Sequence, residues 1–184
     1  MKGCGHKENP RPQWVVISLG SNLGNSLGNF QKVIPMLNPD GPDATRVSSL
    51  WRSEPVDCPP GSPLFLNAAV AWPARPGESP EALLEKLQGL ERSFGRTVKK
   101  TLNEPRSLDL DLIAFGGEMR QTPALTLPHP RAHLRQFVLG PLAEILPGLI
   151  LPGQQRTVSQ LLSDLHGQES AVPIGPLSSG SSNG

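Results

Sequence analysis

The sequence is poor in features that would each define a class of protein. Only two of its 184 residues are cysteines, so it has no disulfide framework, and a reducing cytoplasm is the expected compartment. Seventeen basic residues against sixteen acidic ones leave a formal net charge of +1, which argues against a broad nucleic-acid-binding surface. No apolar run approaches the roughly 20 residues of a membrane span, and the polar residues 1–12 do not resemble a secretory signal. The composition therefore predicts a cytoplasmic protein that binds neither nucleic acid nor membrane.

Proline and glycine are abundant instead, with 21 and 19 residues, and they predict many loops. The length fits a single domain, which we place at 13–166, between a flexible extension at 1–12 and a disordered Ser/Gly/Pro-rich tail at 167–184. Residues 52–63 are proline-rich and predict a long surface loop, a kind of segment that often carries function in a compact domain. No second core or exposed apolar heptad is evident, so we expect a monomer.

Hydrophobic patterning predicts an alternation of strands and helices through most of the chain. The expected elements are a strand at 14–19, a helix at 26–37 capped by Asn25, strands at 45–51 and 64–72, a helix from Ser79 to Gly95 and a strand at 108–115. This is the β-α-β-β-α-β order of ferredoxin-like folds, an α+β class with a mainly antiparallel sheet and two helices on one face. A hairpin turning at Gly116-Gly117, with 118–121 as its returning strand, and helices at 137–146 and after Thr157 would follow.

The most informative stretch is Leu-Asp-Leu-Asp-Leu at 108–112, where apolar and acidic residues alternate. In a strand, Asp109 and Asp111 would share one face, roughly 7 Å apart, while the leucines point to the other. Two carboxylates at that spacing suit Mg²⁺, especially when a substrate phosphate supplies further ligands. The alternative is a sheet edge with two solvated aspartates. The neighbouring Arg96 and Arg106 favour a metal–phosphate site over that alternative.

Several further segments match one enzyme family in the same order and at the same distances. They are Gly20-Ser21-Asn22-Leu23-Gly24, Arg52-Ser53-Glu54-Pro55-Val56, Phe65-Leu66-Asn67-Ala68-Ala69-Val70, Gly95-Arg96, Pro105-Arg106-Ser107-Leu108-Asp109-Leu110-Asp111, Leu127-Pro128-His129-Pro130 and Arg135-Gln136-Phe137-Val138-Leu139. Together they resemble 6-hydroxymethyl-7,8-dihydropterin pyrophosphokinase, an enzyme of folate biosynthesis. The resemblance covers about residues 14–165, and the ordered set is far more specific than any one segment.

The resemblance implies that ATP and hydroxymethyl-dihydropterin are the substrates. The hydroxymethyl oxygen would attack the β-phosphorus of ATP, the terminal pyrophosphoryl unit would move to the pterin, and AMP would leave. It also implies two Mg²⁺ ions held by Asp109 and Asp111, both of which count as catalytic. By the same matching, Arg96 and Arg106 would be catalytic phosphate ligands. The remaining implied ATP-binding residues are Gln88, Glu91, His129 and Arg135.

For the pterin, the resemblance implies that Phe65 and Phe137 sandwich the ring system, and such stacking is physically reasonable. Without the family, buried core would be the better interpretation of both rings. Asn67 would bind the polar edge of the pterin, because an amide offers both a donor and an acceptor. Ser53 and Val56 would add backbone contacts from the proline-rich loop.

The chain departs from the family pattern just before Pro105. Asn103-Glu104 occupies the position where the family usually has an aromatic residue, and Val98 occupies one where the family often has a basic residue. Two other functions stay open on the sequence alone, and Asn103-Glu104 favours only the second of them. One is a Mg²⁺-dependent nucleotidyl transferase, which would release pyrophosphate instead of AMP. The other is a catalytically degenerate relative that binds pterin or nucleotide without turnover.

Overall fold

A computed structural model of the protein describes residues 13–58, 60–95, 104–165 and 171–177. Its strands are β1 (Trp14–Ser21), β2 (Arg46–Val47), β3 (Leu50–Ser53), β4 (Phe65–Pro73), β5 (Asp109–Phe115), β6 (Arg120–Gln121), β7 (Thr126–Leu127) and β8 (Ala171–Gly175). Its α-helices are α1 (Ser26–Leu37), α2 (Pro80–Ser93), α3 (Gln136–Ile145) and α4 (Val158–Asp164), and single 3₁₀ turns lie at Pro42–Ala44 and Ala132–Leu134. The predicted α+β class is confirmed.

The larger sheet has the strand order β5-β1-β4-β3-β8, with β2 also paired to β4. Every pair in it is antiparallel. Strand β1 lies inside the sheet and its residues 15–19 are all buried, which explains why its sequence is a nearly continuous apolar run. A separate two-stranded ribbon joins β6 to β7.

Helices cover both faces of this sheet, and each face has its own apolar core. On one face, α1 and α2 pack on strand residues including Val15, Ile17, Leu19, Leu110 and Leu112. On the other face, α3 and α4 pack on strand residues including Val16, Ala69, Ala71, Ile113 and Ala114. Alternate residues of β1 therefore contribute to opposite cores, as the strand period of two requires.

The predicted helix starts are confirmed by the capping contacts. The side chain of Asn25 accepts a hydrogen bond from the Gly28 N–H at the start of α1, and Ser79 does the same for Ala82 in α2. Thr157 forms a reciprocal capping box with Gln160 at the start of α4.

A bulge interrupts the pairing of β1 with β5, where the register shifts between Val16 and Ile17. Leu112 opposes Ile17 and Ala114 opposes Val16, so Ile113 is the extra residue. Its carbonyl oxygen accepts a hydrogen bond of 2.9 Å from the His129 N–H. The bulge therefore attaches the His129 segment to the acidic strand.

Two predicted strands differ in the structure. The strand expected at 45–51 is divided into β2 and β3 at Ser48, because the Ser48 hydroxyl takes the place of a backbone group and accepts the Ala69 N–H at 2.9 Å. A turn does follow Phe115, but the residues expected to return along β5 instead form β6, which pairs with β7.

The prediction of a disordered tail from residue 167 onward is wrong for 171–175. These residues form β8, which pairs with Leu50–Ser53 of β3 and buries Ala171. Backbone hydrogen bonding to an open sheet edge does not require a hydrophobic sequence, so composition alone missed it. The flexible extension expected at 1–12 lies outside the described residues. Within the described part of the chain, no helix combines the length and apolar character needed to cross a membrane.

Candidate active site

A cavity of about 250 Å³ opens on the α3 side of the sheet. Most of the predicted site residues line it, namely Ser53, Val56, Phe65, Asn67, Arg106, Asp109, Asp111, His129, Arg135 and Phe137. These residues come from strands β3, β4 and β5, the loops beside them and the start of α3. Segments far apart in the sequence thus converge on one site.

The floor of the cavity follows from the strand register. Gly20 of β1 pairs with Asp109 on one side and with Asn67 on the other, so these three residues form a row across the sheet. A Cβ atom on Gly20 would lie 3.7 Å from the Cβ of Asp109 and 3.9 Å from the Oδ1 of Asn67. Because glycine has no side chain, this row leaves open space between a carboxylate and an amide.

The two aspartates lie on the cavity side of β5, and the leucines beside them lie in the opposite core, as predicted. The Oδ2 atom of Asp109 is 3.2 Å from the Nε of Arg106. That Nε is buried and lacks an aligned hydrogen bond, so the contact is an ion pair rather than a directional bond. The guanidinium thus brings positive charge to the edge of the carboxylate pair.

The carboxylate pair suits a hard divalent cation that keeps other ligands. Among the described residues, no cluster of three or more His, Cys, Asp or Glu side chains could enclose a metal ion. Mg²⁺ is commonly held by one or two carboxylates, with water and substrate phosphates completing its octahedral shell. Asp109 and Asp111 on a rigid strand fit that requirement.

The turn after β1 holds the backbone of Arg106 in place. Asn22 Oδ1 accepts the Arg106 N–H at 2.8 Å, and the N–H groups of Asn22 and Leu23 donate to the Arg106 carbonyl at 3.0 and 3.2 Å. The Asn22 side chain also donates to the Pro63 carbonyl at 3.4 Å. Asn22, which is buried, therefore connects the proline-rich loop to the segment that enters β5. Asn22 stands in a segment that matches the family, but no role was predicted for it.

Each of the two phenylalanines lies beside an arginine. The Arg106 guanidinium lies over the Phe65 ring at 5.6 Å from its centroid, and Arg135 lies over Phe137 at 5.3 Å. Such cation–π contacts favour a fixed orientation of both partners. Phe65 is buried and Phe137 is half-buried, so part of the Phe137 ring stays accessible from the cavity.

The amide of Asn67 has a fixed orientation. Its Nδ2 donates to the Ser53 hydroxyl at 2.9 Å, and both residues are buried. Because the nitrogen is engaged with Ser53, the amide oxygen is the atom left on the Gly20 side, next to the cavity floor. The site thus offers a hydrogen-bond acceptor at this point.

His129 is a neutral side chain in this site. Burial, and then the positive charges of Arg135 and Arg131, lower its pKa from 6.5 to about 4, against a smaller opposing effect of Asp109. Its Nδ1 accepts the Arg131 N–H at 3.3 Å. The proton of the neutral ring therefore belongs on Nε2, which makes that nitrogen a hydrogen-bond donor.

Two other predicted residues that the structure describes, Gln88 and Glu91, do not line this cavity. Gln88 is exposed on α2, and Glu91 is buried on the same helix, where its carboxylate accepts the Leu110 N–H at 2.8 Å. Leu110 lies between the two aspartates on an edge strand, so Glu91 satisfies a backbone donor at the open edge of β5. Arg96 lies outside the described residues.

Five further residues of the described ranges line the cavity without having been predicted, namely Ser18, Gly20, Glu54, Cys58 and Arg131. Ser18 could be found only from the register, because it opposes Asp111, whereas Gly20, which opposes Asp109, lies within a matched segment but had no assigned role. Arg131 follows His129 by two residues, and its charge was the available signal. Glu54 lies within a matched segment but had no assigned role.

Comparison with known proteins finds relatives in one enzyme family. A model of the family described as 7,8-dihydro-6-hydroxymethylpterin-pyrophosphokinase (HPPK) matches residues 16–147. A Synechocystis protein named 2-amino-4-hydroxy-6-hydroxymethyldihydropteridine pyrophosphokinase is 38% identical over 152 residues, which are 82% of this chain and 75% of that protein. A Bacillus subtilis protein of the same name is 38% identical over 130 residues, covering 70% of this chain and 75% of that protein.

Other relatives are much longer than this chain. An Arabidopsis thaliana protein named folate synthesis bifunctional protein is 38% identical over 132 residues, which are 72% of this chain but only 27% of that protein. A crystal structure described as HPPK-DHPS in complex with substrates superposes with a TM-score of 0.61 and 11% identity. The superposition covers 83% of this chain and 43% of that structure's chain. At 11% identity the likeness concerns the fold alone.

Proposed function

The chain belongs to the 7,8-dihydro-6-hydroxymethylpterin-pyrophosphokinase family, and on that basis we propose that it transfers pyrophosphate from ATP to 6-hydroxymethyl-7,8-dihydropterin, releasing AMP, in folate biosynthesis. The observation that carries the proposal is a cavity lined by paired carboxylates, arginines, a neutral histidine and two phenylalanines. It combines the groups needed for a polyphosphate with those needed for a flat heterocycle.

The reaction needs positioning and charge neutralisation more than covalent help from the protein. The hydroxymethyl oxygen gives up its proton to the solvent and forms a bond to the β-phosphorus. The bond between that phosphorus and the α–β bridging oxygen breaks, and AMP carries that oxygen away. Arg106 and Arg135 line the cavity in which this charge is redistributed. A guanidinium keeps its charge at every relevant pH and can bind phosphate oxygens in pairs.

Asp109 and Asp111 would hold Mg²⁺, and two ions are expected from the family resemblance. When bound there, Mg²⁺ would neutralise phosphate charge and polarise the bonds to phosphorus. The donor set supports this assignment, because two carboxylates leave coordination positions for ATP oxygens and water. The fixed spacing of the aspartates along β5 gives the metal site a rigid base.

His129 would donate its Nε2–H to an ATP phosphate oxygen. A neutral donor is suitable there because it can bind the anion without first having to take up a proton. Arg96 and Gln88 remain proposed ATP ligands by resemblance only. Glu91 is also proposed as an ATP ligand by resemblance, although its carboxylate accepts a hydrogen bond from the β5 backbone.

The pterin would lie between Phe65 and Phe137, with its polar edge toward Asn67. The Asn67 amide oxygen is an acceptor that suits an N–H of the pterin ring, and Ser53 fixes the direction of that amide. The backbones of Ser53 and Val56 lie at the same cavity and would add contacts from the proline-rich loop.

The central architecture supports a finer description of the fold. In sequence order, β1, α1, β3, β4, α2 and β5 give the spatial order β5-β1-β4-β3, with both helices on one face. We propose that this unit is a ferredoxin-like sandwich to which β8, α3 and α4 are added. We further propose, from the composition and the lack of an apolar heptad in the sequence, that the chain acts as a cytoplasmic monomer.

Product identification tests the proposed reaction. Purified protein is incubated with Mg-ATP and hydroxymethyl-dihydropterin, and the nucleotides are separated by chromatography. AMP is expected only when the pterin is present, together with a pterin diphosphate. Asp109→Ala should abolish the AMP, whereas the matched change Asp164→Ala, at an exposed residue on α4, should not.

Release of pyrophosphate with nucleotidylated pterin would replace this function with nucleotidyl transfer. Pterin binding with no AMP would instead make the chain a binding protein. Size-exclusion chromatography and cell fractionation test the monomeric state and the cytoplasmic location.

A further inference from the structure

Within the part of the chain that the structure describes, three arginines line the cavity, and they differ in how their guanidinium groups are engaged. Arg106 forms the ion pair with Asp109 and lies over Phe65. Arg135 lies over Phe137 and makes further contacts. Arg131 is exposed, and its guanidinium has no hydrogen bond or ion pair within the described ranges of the chain. The donors of this guanidinium are therefore open to a ligand.

Hydrogen bonding and the adjoining 3₁₀ turn fix the backbone of Arg131 beside the site, whereas its guanidinium makes no such contact with the described residues. Its N–H donates to His129 Nδ1, and Arg131 directly precedes the 3₁₀ turn Ala132–Leu134. Arg135 directly follows the same turn, so the two arginines stand at its two ends. His129 lies close enough to both that their charges lower its pKa. The neutral donor and the two cations thus form one rim of the cavity.

We propose that Arg131 binds the triphosphate of ATP, beside His129, as a further substrate-binding residue of this enzyme; this inference rests on the proposed function. The charged groups of the cavity support it. Among the described residues, the lining contains the three carboxylates of Glu54, Asp109 and Asp111 besides the three arginines, so these charges nearly cancel. ATP brings several negative charges, and an unengaged guanidinium on the rim can contact phosphate oxygens without first breaking an ion pair.

Binding measurements test this directly. The probe is Mg-α,β-methylene-ATP, in which the bond cleaved by the reaction is replaced, and affinity is measured by calorimetry on the full chain. Arg131→Ala is expected to weaken binding of the analogue on the order of tenfold, because charge-assisted hydrogen bonds are lost. Arg131→Lys should recover part of the loss, since it restores the charge but not the planar fork.

Two comparisons separate phosphate binding from a structural effect. AMP lacks the terminal phosphates, so its affinity should change far less than that of the analogue in Arg131→Ala. Arg156→Ala removes the same charge from an exposed residue that pairs with Asp164, and it should leave both affinities unchanged.

Equal binding of the analogue by Arg131→Ala and the wild-type protein would overturn the inference. Equal weakening of AMP and the analogue would also overturn it, because the role would then be to shape the site. These outcomes are distinct from failure of the proposed function, in which the wild-type protein itself forms no AMP from ATP and the pterin.

Discussion

One face of the larger sheet packs against α1 and α2, whereas the other packs against α3 and α4 and also carries the cavity. The two faces are made by alternate residues of the same strands. In β5, Leu110 and Leu112 belong to the first face, while Asp109 and Asp111 belong to the second. In β1, Leu19 belongs to the first face and Ser18 to the second.

The difference between the faces shows how a small domain can hold a charged site without losing its core. The buried leucines on one face anchor the strands, so the aspartates on the other face need not contribute hydrophobic burial. The strands also fix the spacing of the carboxylates, because neighbouring residues cannot slip without moving leucines out of the core. Stability and chemistry are therefore separable by face, and that separation can be tested.

The largest effect is expected from two substitutions on opposite faces. Asp111→Asn keeps the volume of the side chain but removes a charged ligand, so kcat should fall by about 10³ or more with little change in melting temperature. Leu19→Ala removes a fully buried side chain and should lower the free energy of unfolding by about 2–5 kcal/mol. The folded fraction of Leu19→Ala should keep the wild-type kcat. A large loss of kcat in that folded fraction would show that the faces are coupled.

The second effect concerns Asn22, which connects the segment entering β5 to the proline-rich loop. Asn22→Ala removes the acceptor of the Arg106 N–H and the donor to Pro63. We expect kcat to fall on the order of tenfold, because the Arg106 guanidinium loses its position, and the free energy of unfolding to fall by about 1–3 kcal/mol.

Asn25→Ala is the matched control for Asn22→Ala. It removes the α1 cap in the same turn, at a cost of about 1 kcal/mol, but it does not touch Arg106. Thermal melts should therefore show lowered stability for both variants, whereas steady-state kinetics should show a lowered kcat for Asn22→Ala alone. Equal kcat values for the two variants would contradict the positioning role of Asn22.

These contrasts also explain what the sequence could predict. The alternation of leucine and aspartate at 108–112 was enough to assign the two faces of β5. Local side-chain chemistry was enough to place the caps at Asn25, Ser79 and Thr157, all of which are confirmed. Features that depend only on a residue and its immediate neighbours can thus be predicted from the order of amino acids.

Features that depend on a distant partner were not accessible in this way. Strand β8 exists because the edge of β3 is open to it, and its own sequence resembles a linker. Asn22 is informative only once Arg106 and Pro63 lie beside it. Glu91 was assigned to ATP from the family resemblance, whereas its contact with Leu110 depends on β5 being an edge strand.

The third effect is smaller and concerns Glu91. Glu91→Ala leaves the Leu110 N–H without its acceptor, between the two aspartates. We expect a loss of about 1–3 kcal/mol in the free energy of unfolding and a higher Mg²⁺ concentration for half-maximal activity. Glu91→Gln keeps an acceptor oxygen, so it should retain most of both properties. If Glu91→Gln instead lost affinity for ATP with its Mg²⁺ dependence unchanged, Glu91 would be a nucleotide ligand, as the resemblance implies.

The smallest effect is the pH dependence of the free energy of unfolding that arises from His129. This residue lies on the cavity side of the sheet, and the described residues of the apolar core on the other side include no such titrating group. Burial and the charges of Arg135 and Arg131 hold the pKa of His129 near 4 in the folded protein, although Asp109 opposes them. In the unfolded chain the ordinary value of about 6.5 returns. Between these two values the unfolded chain binds more protons, so the free energy of unfolding should fall as the pH is lowered from about 6.5 to about 4. Above 6.5 both states are neutral at this residue and its contribution is flat.

His129→Asn isolates this titration, because an amide oxygen can still accept the Arg131 N–H. The difference in stability between the wild-type protein and this variant should be constant above pH 7 and should shift against the wild type toward pH 4. NMR titration of the His129 ring, assigned with the same variant, should give a pKa near 4 without ligand. Saturating Mg-α,β-methylene-ATP should raise that pKa if phosphate lies against the ring, since a nearby anion favours the protonated form. A ligand-free pKa near 6.5 would mean that the ring is solvated and that the arginines lie farther away. The ring would then become a cation at mildly acidic pH, and its Nδ1 could no longer accept the Arg131 N–H.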